Sequence, residues 1–329
     1  MKGVRKILYI GKKNMEELVD FNKIMNCVEK AFALYERGDF QMPDRMHVDR
    51  PEGTILYMPC FTEAVSGTKI VSTFPENIKS GVASIQGTMV LNKSKTGETL
   101  ALMDGAMVTA YRTGAVGGVG VRHTTRPNCT SVGLVGTGVQ GFFQVLYACE
   151  ARPIKTVTIF DRNTDRAAAF KARLEDKIGT VQINIATDIV DLVKKSEIII
   201  TATPSKTPVL PDDPVLLKGK HIIAIGSYKY EMRELPPALY SIVDDIYIDT
   251  EFAAEESGDL IVPVEQGWIK KEQMQVFGKV YNELVAKPII DERTTLYKSV
   301  GMSLFDLLVA ESIYESAVEK GLGIDLGDE

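Results

Sequence analysis

A short glycine-rich segment constrains this chain more than any other feature. Residues 130–141 read TSVGLVGTGVQG, in which an apolar run leads directly into Gly136-x-Gly138-x-x-Gly141 and then into a helical pattern. Glycine permits the tight turn, lets a pyrophosphate approach the backbone and allows the helix to pack closely on the strand. The first N–H groups of such a helix bind phosphate. The segment predicts a dinucleotide site formed by these glycines and by the residues between them, Thr137, Val139 and Gln140.

An acidic residue follows at the distance that such a site requires, about 20 positions further on at the end of the next strand. Asp161 closes the apolar run 157–160 and lies twenty residues after Gly141. Its carboxylate is expected to bind a ribose hydroxyl of NAD and to repel the 2′-phosphate of NADP. Arg162 comes next, and it either accommodates that phosphate or is a surface cation. The pattern favours a dinucleotide site over a glycine-rich turn without a ligand. For the cofactor itself, it favours NAD or the use of both NAD and NADP.

Length and composition indicate a two-domain globular protein that acts on small molecules. The chain has 329 residues, and its net charge of −6 is spread without a basic block, which argues against nucleic acid and anionic lipid as partners. No run approaches the roughly 18 apolar residues of a membrane span. The sequence contains four separated cysteines and three scattered histidines, which predict reduced thiols in the cytoplasm and no metal site.

From Thr130 onward, strands and helices alternate. Apolar strands are predicted at 130–135, 155–161, 181–186, 197–202, 221–227 and 245–250, and helices at 139–150, 164–178 with Thr164 as N-cap, 188–195 and around 236–241. Continuous apolar strands between helices indicate a parallel sheet covered on both faces, here a Rossmann domain over 120–301. The four prolines between Thr203 and Leu217 predict an irregular loop rather than a helix. This loop either forms a wall of the nicotinamide site or is merely structural.

The first 119 residues have a different pattern, which predicts an α+β domain. Helical spacing over 15–37 precedes short strands of a mostly antiparallel sheet, with a hairpin turn at 95–100. A connecting helix over 104–121 carries small residues on one face, which permits close packing, and Arg112 on nearly the opposite side, where it is free to face a cleft. We expect the amphipathic helix over 303–320 to pack back on this domain, which therefore comprises 1–119 and 302–329.

Several strings along the chain are similar to those of the ornithine cyclodeaminase and mu-crystallin family. They are MPDRMHVD, GTKIVSTFPEN, LALMDGAMVTAYRTGAVGG, LVGTGVQG, TATPSKTPVL and LYKSVGMSLFDLLVAESIYESA. The resemblance implies an N-terminal substrate and dimerisation domain, completed by the C-terminal helix, with the Rossmann domain inserted between them. It also implies a homodimer. Thr203 and Val300, which lie in the last two strings, are included among the expected cofactor-binding residues.

The same resemblance implies that Arg45, Lys69 and Arg112 surround the carboxylate of the substrate beside the nicotinamide ring. The chemistry is suitable, because arginine binds a carboxylate bidentately and a buried lysine can relay a proton. Residue type alone would instead favour solvated surface charges at all three positions.

One departure from the family bears on the reaction. The branch that cyclises ornithine carries an aspartate two residues after the glycine that matches Gly226, whereas this chain has Tyr228. Tyrosine is a poor base at neutral pH but still donates a hydrogen bond, and a packing role is equally open. The segment that contains Tyr228, GSYKYEMRELP, is closer to that of family members that reduce pyrroline-2-carboxylate to L-proline with NAD(P)H. The alternatives are ornithine cyclodeaminase, an alanine dehydrogenase-like enzyme and a non-enzymatic NADPH-binding protein like the mu-crystallins.

Overall fold

The computed structural model describes residues 7–284 and 292–327. The chain divides into two compact units, the first comprising Met1–Arg112 and Met302–Glu329 and the second comprising Thr113–Gly301. The second unit is thus inserted between the two segments of the first. The boundary expected at 119/120 falls within a helix, α3 (Gly105–Thr124), which begins in the first unit and continues into the second.

The first unit is built on a seven-stranded sheet, with elements numbered in chain order through the molecule. Its strands are β1 (Leu8–Ile10), β2 (Met46–Arg50), β3 (Gly53–Phe61), β4 (Val65–Thr73), β5 (Ile85–Lys93), β6 (Thr99–Asp104) and β15 (Ile324–Asp325). They lie in the order β15-β1-β6-β5-β4-β3-β2, and every pair except β1 and β6 is antiparallel. The predicted hairpin turn is confirmed, because the Lys93 N–H donates to the carbonyl of Glu98 across Gly97, whose φ is +70°.

Helix α12 (Ser303–Lys320) packs on this sheet against β3, β4, β5 and β6. Helices α1 (Lys12–Leu18) and α2 (Phe21–Arg37) pack against α12. The bounds of α12 are those predicted. The single helical pattern over 15–37 forms two helices, because the chain turns out of helical geometry at Val19 and the Asp20 side chain caps α2 by accepting from the Lys23 N–H. The rings of Phe32 and Phe305 pack edge to face, 5.0 Å apart, between α2 and α12.

The second unit contains an eight-stranded sheet in which all strands are parallel. The strands are β7 (Ser131–Val135), β8 (Thr156–Phe160), β9 (Gln182–Ile185), β10 (Ile198–Thr201), β11 (His221–Ala224), β12 (Asp245–Ile248), β13 (Met274–Val276) and β14 (Thr295–Lys298), in the order β13-β12-β14-β11-β10-β7-β8-β9. The chain runs outward from β7 to β9 and then returns to β10 on the other side of β7. This reversal is where Rossmann sheets bind ligands, and the predicted fold class is confirmed.

The helices of the second unit refine the sequence predictions. They are α4 (Val139–Ala151), α5 (Thr164–Lys177), α6 (Ile189–Lys195), α7 (Pro214–Leu217), α8 (Pro237–Tyr240), α9 (Ala253–Glu256), α10 (Gly258–Glu265) and α11 (Phe277–Tyr281). Thr164 as the N-cap of α5 is wrong: the Asn163 side chain accepts from the Arg166 N–H. The proline-rich loop was predicted without a helix, yet it contains α7, because proline is compatible with a first helical position and Asp213 caps it.

One strand ends three residues before its predicted bound, and two strands, β13 and β14, were not predicted. The strand expected over 221–227 ends at Ala224, since the Gly226 N–H donates to the Glu234 carboxylate instead of continuing the ladder. Strand β14 was not predicted, because its four residues carry a lysine in a short apolar run. It pairs with β11 and β12 at the centre of one half of the sheet.

The face of α3 that carries the small residues packs closely against α4, as expected. A Cβ at Gly114 would lie 2.5 Å from Cδ2 of Tyr147, and Tyr147 is fully buried on α4. At Gly117, a Cβ would meet the amide of Gln144, whose Nε2 donates to the carbonyl of Thr113. The glycines therefore set the distance between α3 and α4.

Replacing Gly114 by alanine tests this packing. The added methyl must displace a buried ring, so we expect the free energy of unfolding to fall by about 1–3 kcal/mol in spite of the higher helix propensity of alanine. Urea unfolding of Gly114→Ala measures the loss, with the exposed Ala172→Ser on α5 as the control. Equal stability of the two variants would mean that α3 and α4 are not in close contact at this position.

Candidate functional site

The glycine turn lies between the end of β7 and the start of α4. Gly136 has φ of +101°, and a Cβ there would lie 2.7 Å from the carbonyl oxygen of Ala202. A Cβ at Gly141 would collide with the carbonyl of Gly136, whereas a Cβ at Gly138 would meet no atom within 4 Å. Two of the glycines are thus required by close packing of the turn, and the third leaves open space at the helix N-terminus.

This open space is suited to an anionic group. Gly138 is the N-cap of α4 and supplies no side-chain cap, and the first N–H groups of a helix have no acceptor within it. Val139 is exposed on the first turn, and Gln140 beside it is half-buried. The residues present therefore fit the pyrophosphate of a dinucleotide.

Asp161, at the end of β8, is linked directly to the glycine turn. Its Oδ2 accepts from the backbone N–H of Thr137 at 3.0 Å and from the Thr137 hydroxyl at 2.7 Å. Arg166, which the sequence analysis missed, donates to both carboxylate oxygens, from Nε at 3.1 Å and from Nη2 at 2.6 Å. Burial by itself would raise the pKa of Asp161, but the hydrogen bonds from Arg166, Asn163 and Thr137 hold that pKa well below its usual range. Arg162 is exposed.

Glu234 joins the loops that follow β10 and β11. Its Oε1 accepts from the N–H and the hydroxyl of Thr203 at 2.7 and 2.8 Å, and its Oε2 accepts from the Gly226 N–H at 2.8 Å. Glu234 is fully buried, and burial raises the pKa of its carboxyl. Thr203, a predicted cofactor-binding residue, is thereby fixed at the carboxyl edge of the sheet. Tyr228 follows β11 in an exposed loop, with Nζ of Lys229 5.9 Å from its ring centre.

A second buried acid fixes the segment after β14. Oδ2 of Asp249 accepts from the Ser299 hydroxyl at 2.6 Å and from the N–H groups of Val300 and Gly301 at 3.0 and 2.7 Å. The neighbouring Lys298 is buried and donates to the carbonyls of Ala224 and Ser227. The predicted cofactor-binding residues, Val300 included, therefore follow the carboxyl ends of β8, β7, β10 and β14, and β11 lies between the last two.

The first unit contains a compact cluster of buried charges. Lys69 on β4 and Arg112 on α3 both donate to Oδ1 of Asp306 on α12, from Nζ at 2.8 Å and from Nε at 2.9 Å. The exposed fractions are 1% for Lys69, 8% for Arg112 and 0% for Asp306. Oδ2 of Asp306 receives no hydrogen bond from the residues that the structure describes. Two cations thus share one carboxylate, and the cluster carries an excess of positive charge.

Electrostatics links the third predicted basic residue to this cluster. Burial lowers the pKa of Lys69 to about 8; Asp306 opposes the shift, and the positive charges of Arg112 and Arg45 add to it. Arg45 is half-buried immediately before β2. The three basic residues are therefore close enough to influence one another, and Lys69 titrates nearer to neutral pH than an ordinary lysine.

Burial decides between the two interpretations of these residues. Asp306 holds the Nε group of Arg112 in the interior. Lys69 and Arg112 are both buried, so they are not the solvated surface charges that residue type alone would favour. The sequence analysis missed Asp306, although one signal for it existed: it is the single charge in the apolar run of α12, SLFDLLVA.

Loss of the shared carboxylate should destabilise the first unit. Asp306→Asn leaves the buried Lys69 and Arg112 without a counter-charge, and breaking a buried pair in this way costs about 3–5 kcal/mol. Urea unfolding at neutral pH measures the change. Asp191→Asn is the matched control, since Asp191 pairs with Lys195 on an exposed helix and its loss should change the unfolding midpoint little. Equal effects of the two substitutions would contradict a buried charge cluster.

Within 7–284 and 292–327, no helix combines the length and apolar character needed to cross a bilayer. The same ranges contain no group of three or more His, Cys, Asp or Glu side chains arranged to hold a metal ion.

Comparison with known proteins places the chain in a family. The Delta(1)-pyrroline-2-carboxylate reductase of Bacillus cereus is 32% identical over 325 residues, which cover 96% of this chain and 98% of that protein. The structure of the Thermococcus litoralis enzyme of the same name, in complex with NADH and L-proline, superposes with a TM-score of 0.90 at 31% identity and covers 97% of this chain and 100% of its own.

An archaeal alanine dehydrogenase dimer with bound NAD gives a TM-score of 0.89 at 29% identity, covering 98% of this chain and 99% of that one. The sequence profile of the ornithine cyclodeaminase/mu-crystallin family matches residues 8–321. The chain belongs to the ornithine cyclodeaminase/mu-crystallin family.

Proposed function

We propose that this protein is an oxidoreductase that reduces a small cyclic imino acid, Δ1-pyrroline-2-carboxylate, to L-proline with a hydride from NADH or NADPH. The observation that carries the proposal is the buried cluster in which two cations share the carboxylate of Asp306. An anionic substrate is the natural partner for the surplus charge. The relatives that act on pyrroline-2-carboxylate cover almost the whole chain, which supports this choice of substrate.

Arg112 and Lys69 are the residues that we assign to the substrate carboxylate, with Arg45 beside them. The bond from Arg112 to Asp306 runs through Nε, and the guanidinium fork has further N–H groups that suit a second carboxylate. A buried cation binds an anion more strongly than an exposed one does, because little water screens the pair. Asp306 acts as a positioning residue, since it holds both cations in one orientation.

Reduction of the imine requires one hydride and one proton. The hydride for C2 of the C=N bond would come from a nicotinamide when one is bound, and the ring nitrogen of the substrate would take the proton. Lys69 is our candidate for holding that proton, because burial brings the pKa of its ammonium group to about 8 and so makes it a better acid than an ordinary lysine. Tyr228 remains a candidate hydrogen-bond donor.

The cofactor is expected to bind along the carboxyl edge of the second unit. Its predicted contacts are Gly136, Thr137, Gly138, Val139, Gln140, Gly141, Asp161, Arg162, Thr203 and Val300. The relatives with bound NADH or NAD support a nicotinamide dinucleotide at this edge. The use of NADP in addition is our proposal.

Other activities of the family fit these residues less well. Cyclodeamination of ornithine needs a group to handle the amine, and the loop after β11 offers Tyr228 and the exposed Glu231 in place of the aspartate of that branch. An alanine dehydrogenase-like reaction is the second candidate, favoured by the neighbour of that name. A protein that only binds NADPH would have no use for a costly buried charge cluster.

We also propose a homodimer formed through the first unit, which would serve as substrate and dimerisation domain. The face of its sheet opposite Lys69 carries apolar side chains that are half-buried or exposed, namely Tyr57, Pro59, Phe61, Ile70, Val90 and Leu102. An apolar face of this kind favours association in water.

We further propose a location in the reducing cytoplasm. All four cysteines are unpaired thiols, which supports this location.

A direct assay separates these activities. With Δ1-pyrroline-2-carboxylate and NADH, we expect NADH oxidation and formation of L-proline in equal amounts. Pyruvate with ammonia should react far more slowly, and ornithine with catalytic NAD should release no ammonia. Faster turnover of pyruvate with ammonia would favour the alanine dehydrogenase alternative, and absence of turnover with any small imino acid would refute the proposal.

The pH dependence of kcat/KM tests the role of Lys69. The lysine is a cation below its pKa, so kcat/KM should fall as pH rises through about 8, when the free enzyme loses that charge and proton. Arg45→Met removes a cation that lowers the pKa of Lys69, so this alkaline limb should move to higher pH. Ionisation of the substrate is common to both proteins and does not affect the comparison. An unchanged midpoint, or a shift to lower pH, would contradict the assignment.

A further inference from the structure

Arg166 covers the carboxylate of Asp161, the group expected to bind the ribose hydroxyl of NAD. The side chain of Asp161 is 4% exposed, whereas that of Arg166 is 60% exposed. Arg166 lies in the first turn of α5, and its guanidinium reaches back over the end of β8 to bind both carboxylate oxygens. The group presented to solvent at this position is therefore a cation and not an acid.

The hydrogen bonds of Asp161 strengthen this point. Its two oxygens accept from five donor groups, the N–H and hydroxyl of Thr137, the Asn163 N–H, and Nε and Nη2 of Arg166. A carboxylate offers about four lone-pair sites, so a ribose diol has to displace Arg166 to bind there. The guanidinium itself is 60% exposed, so it can turn from Asp161 to another anion in the solvent.

We propose that Arg166 sets the cofactor preference of this protein: it neutralises Asp161 and binds the 2′-phosphate of NADPH, so that the chain accepts NADPH as well as NADH. This inference rests on the proposed function only in its choice of a nicotinamide dinucleotide. Arginine has the planar fork that binds phosphate bidentately. The rival assignment from the sequence is Arg162, which is exposed but has no such pairing with Asp161.

Binding of two nucleotide fragments tests the proposal without any turnover. Adenosine 2′,5′-bisphosphate and 5′-AMP differ only in the 2′-phosphate, and calorimetry at one ionic strength gives the ratio of their affinities. We expect the wild-type protein to bind the bisphosphate at least as tightly as AMP. In Arg166→Ala the ratio should shift toward AMP by about 10-fold to 100-fold, which is the usual effect of losing a charged hydrogen bond.

Three variants serve as comparisons. Arg166→Lys keeps the charge without the fork and should show a smaller shift than Arg166→Ala. Arg162→Ala should leave the ratio within about threefold. Lys171→Ala, which removes a cation from the same helix and breaks its pair with Glu175, should also leave it unchanged. Binding of AMP by each variant shows that the protein is folded.

Several results would overturn the inference. They are a wild-type protein that strongly prefers AMP, an unchanged ratio in Arg166→Ala, or a loss of preference in Arg162→Ala instead. Failure of the proposed imine reduction is a separate result, because fragment binding involves no imine. Absence of binding of both fragments by the wild-type protein would refute the dinucleotide site itself and the inference with it.

Discussion

The carboxylate of Asp306 holds two cations in the interior of the first unit, and the proposed binding of a substrate carboxylate depends on this interaction. Transfer of three charged groups from water costs several kcal/mol for each ion, and one carboxylate compensates only part of that cost. A core made of apolar residues would be at least as stable. The arrangement is therefore best understood as one that keeps a fixed positive charge ready for an anion, with Lys69 and Arg112 oriented before any ligand binds.

The second unit also uses buried acids to fix the backbone. Glu234 connects the loops after β10 and β11, Asp249 orders the turn after β14, and Asp161 binds the N–H of Thr137 in the glycine turn. Carboxylates that accept several N–H groups hold loops more firmly than apolar contacts do, because each hydrogen bond has a defined direction. Loops at the edge of the sheet are thus held in place by charges within the fold.

Much of the architecture could be predicted from the sequence, because periodicity and glycine spacing are local signals. The glycine turn, the strand that ends at Asp161 and helix α12 follow from residues close together in the chain. The partners of the candidate site could not be predicted in this way. Asp306 lies 237 positions from Lys69, and the run around it is typical of a buried helix. Strand β14 was missed for a related reason, since four residues with a lysine give no clear period.

Arg112 illustrates the limit of such reasoning. Its position opposite the small face of α3 follows from helical geometry, but its burial depends on α12, which no local pattern connects to it. Asp161 gives a second example, since its distance from the glycines is visible in the sequence and its pairing with Arg166 is not.

Two planar ligands, pyrrole-2-carboxylate and pyrrole-2-carboxamide, test most directly whether the buried cations bind a substrate carboxylate. Their inhibition constants are compared in the wild-type protein and in Arg112→Met. We expect the wild-type protein to bind the carboxylate at least about tenfold more tightly than the carboxamide, and most of that difference to disappear in the variant. The same difference in both proteins would contradict a role for Arg112 in binding the carboxylate.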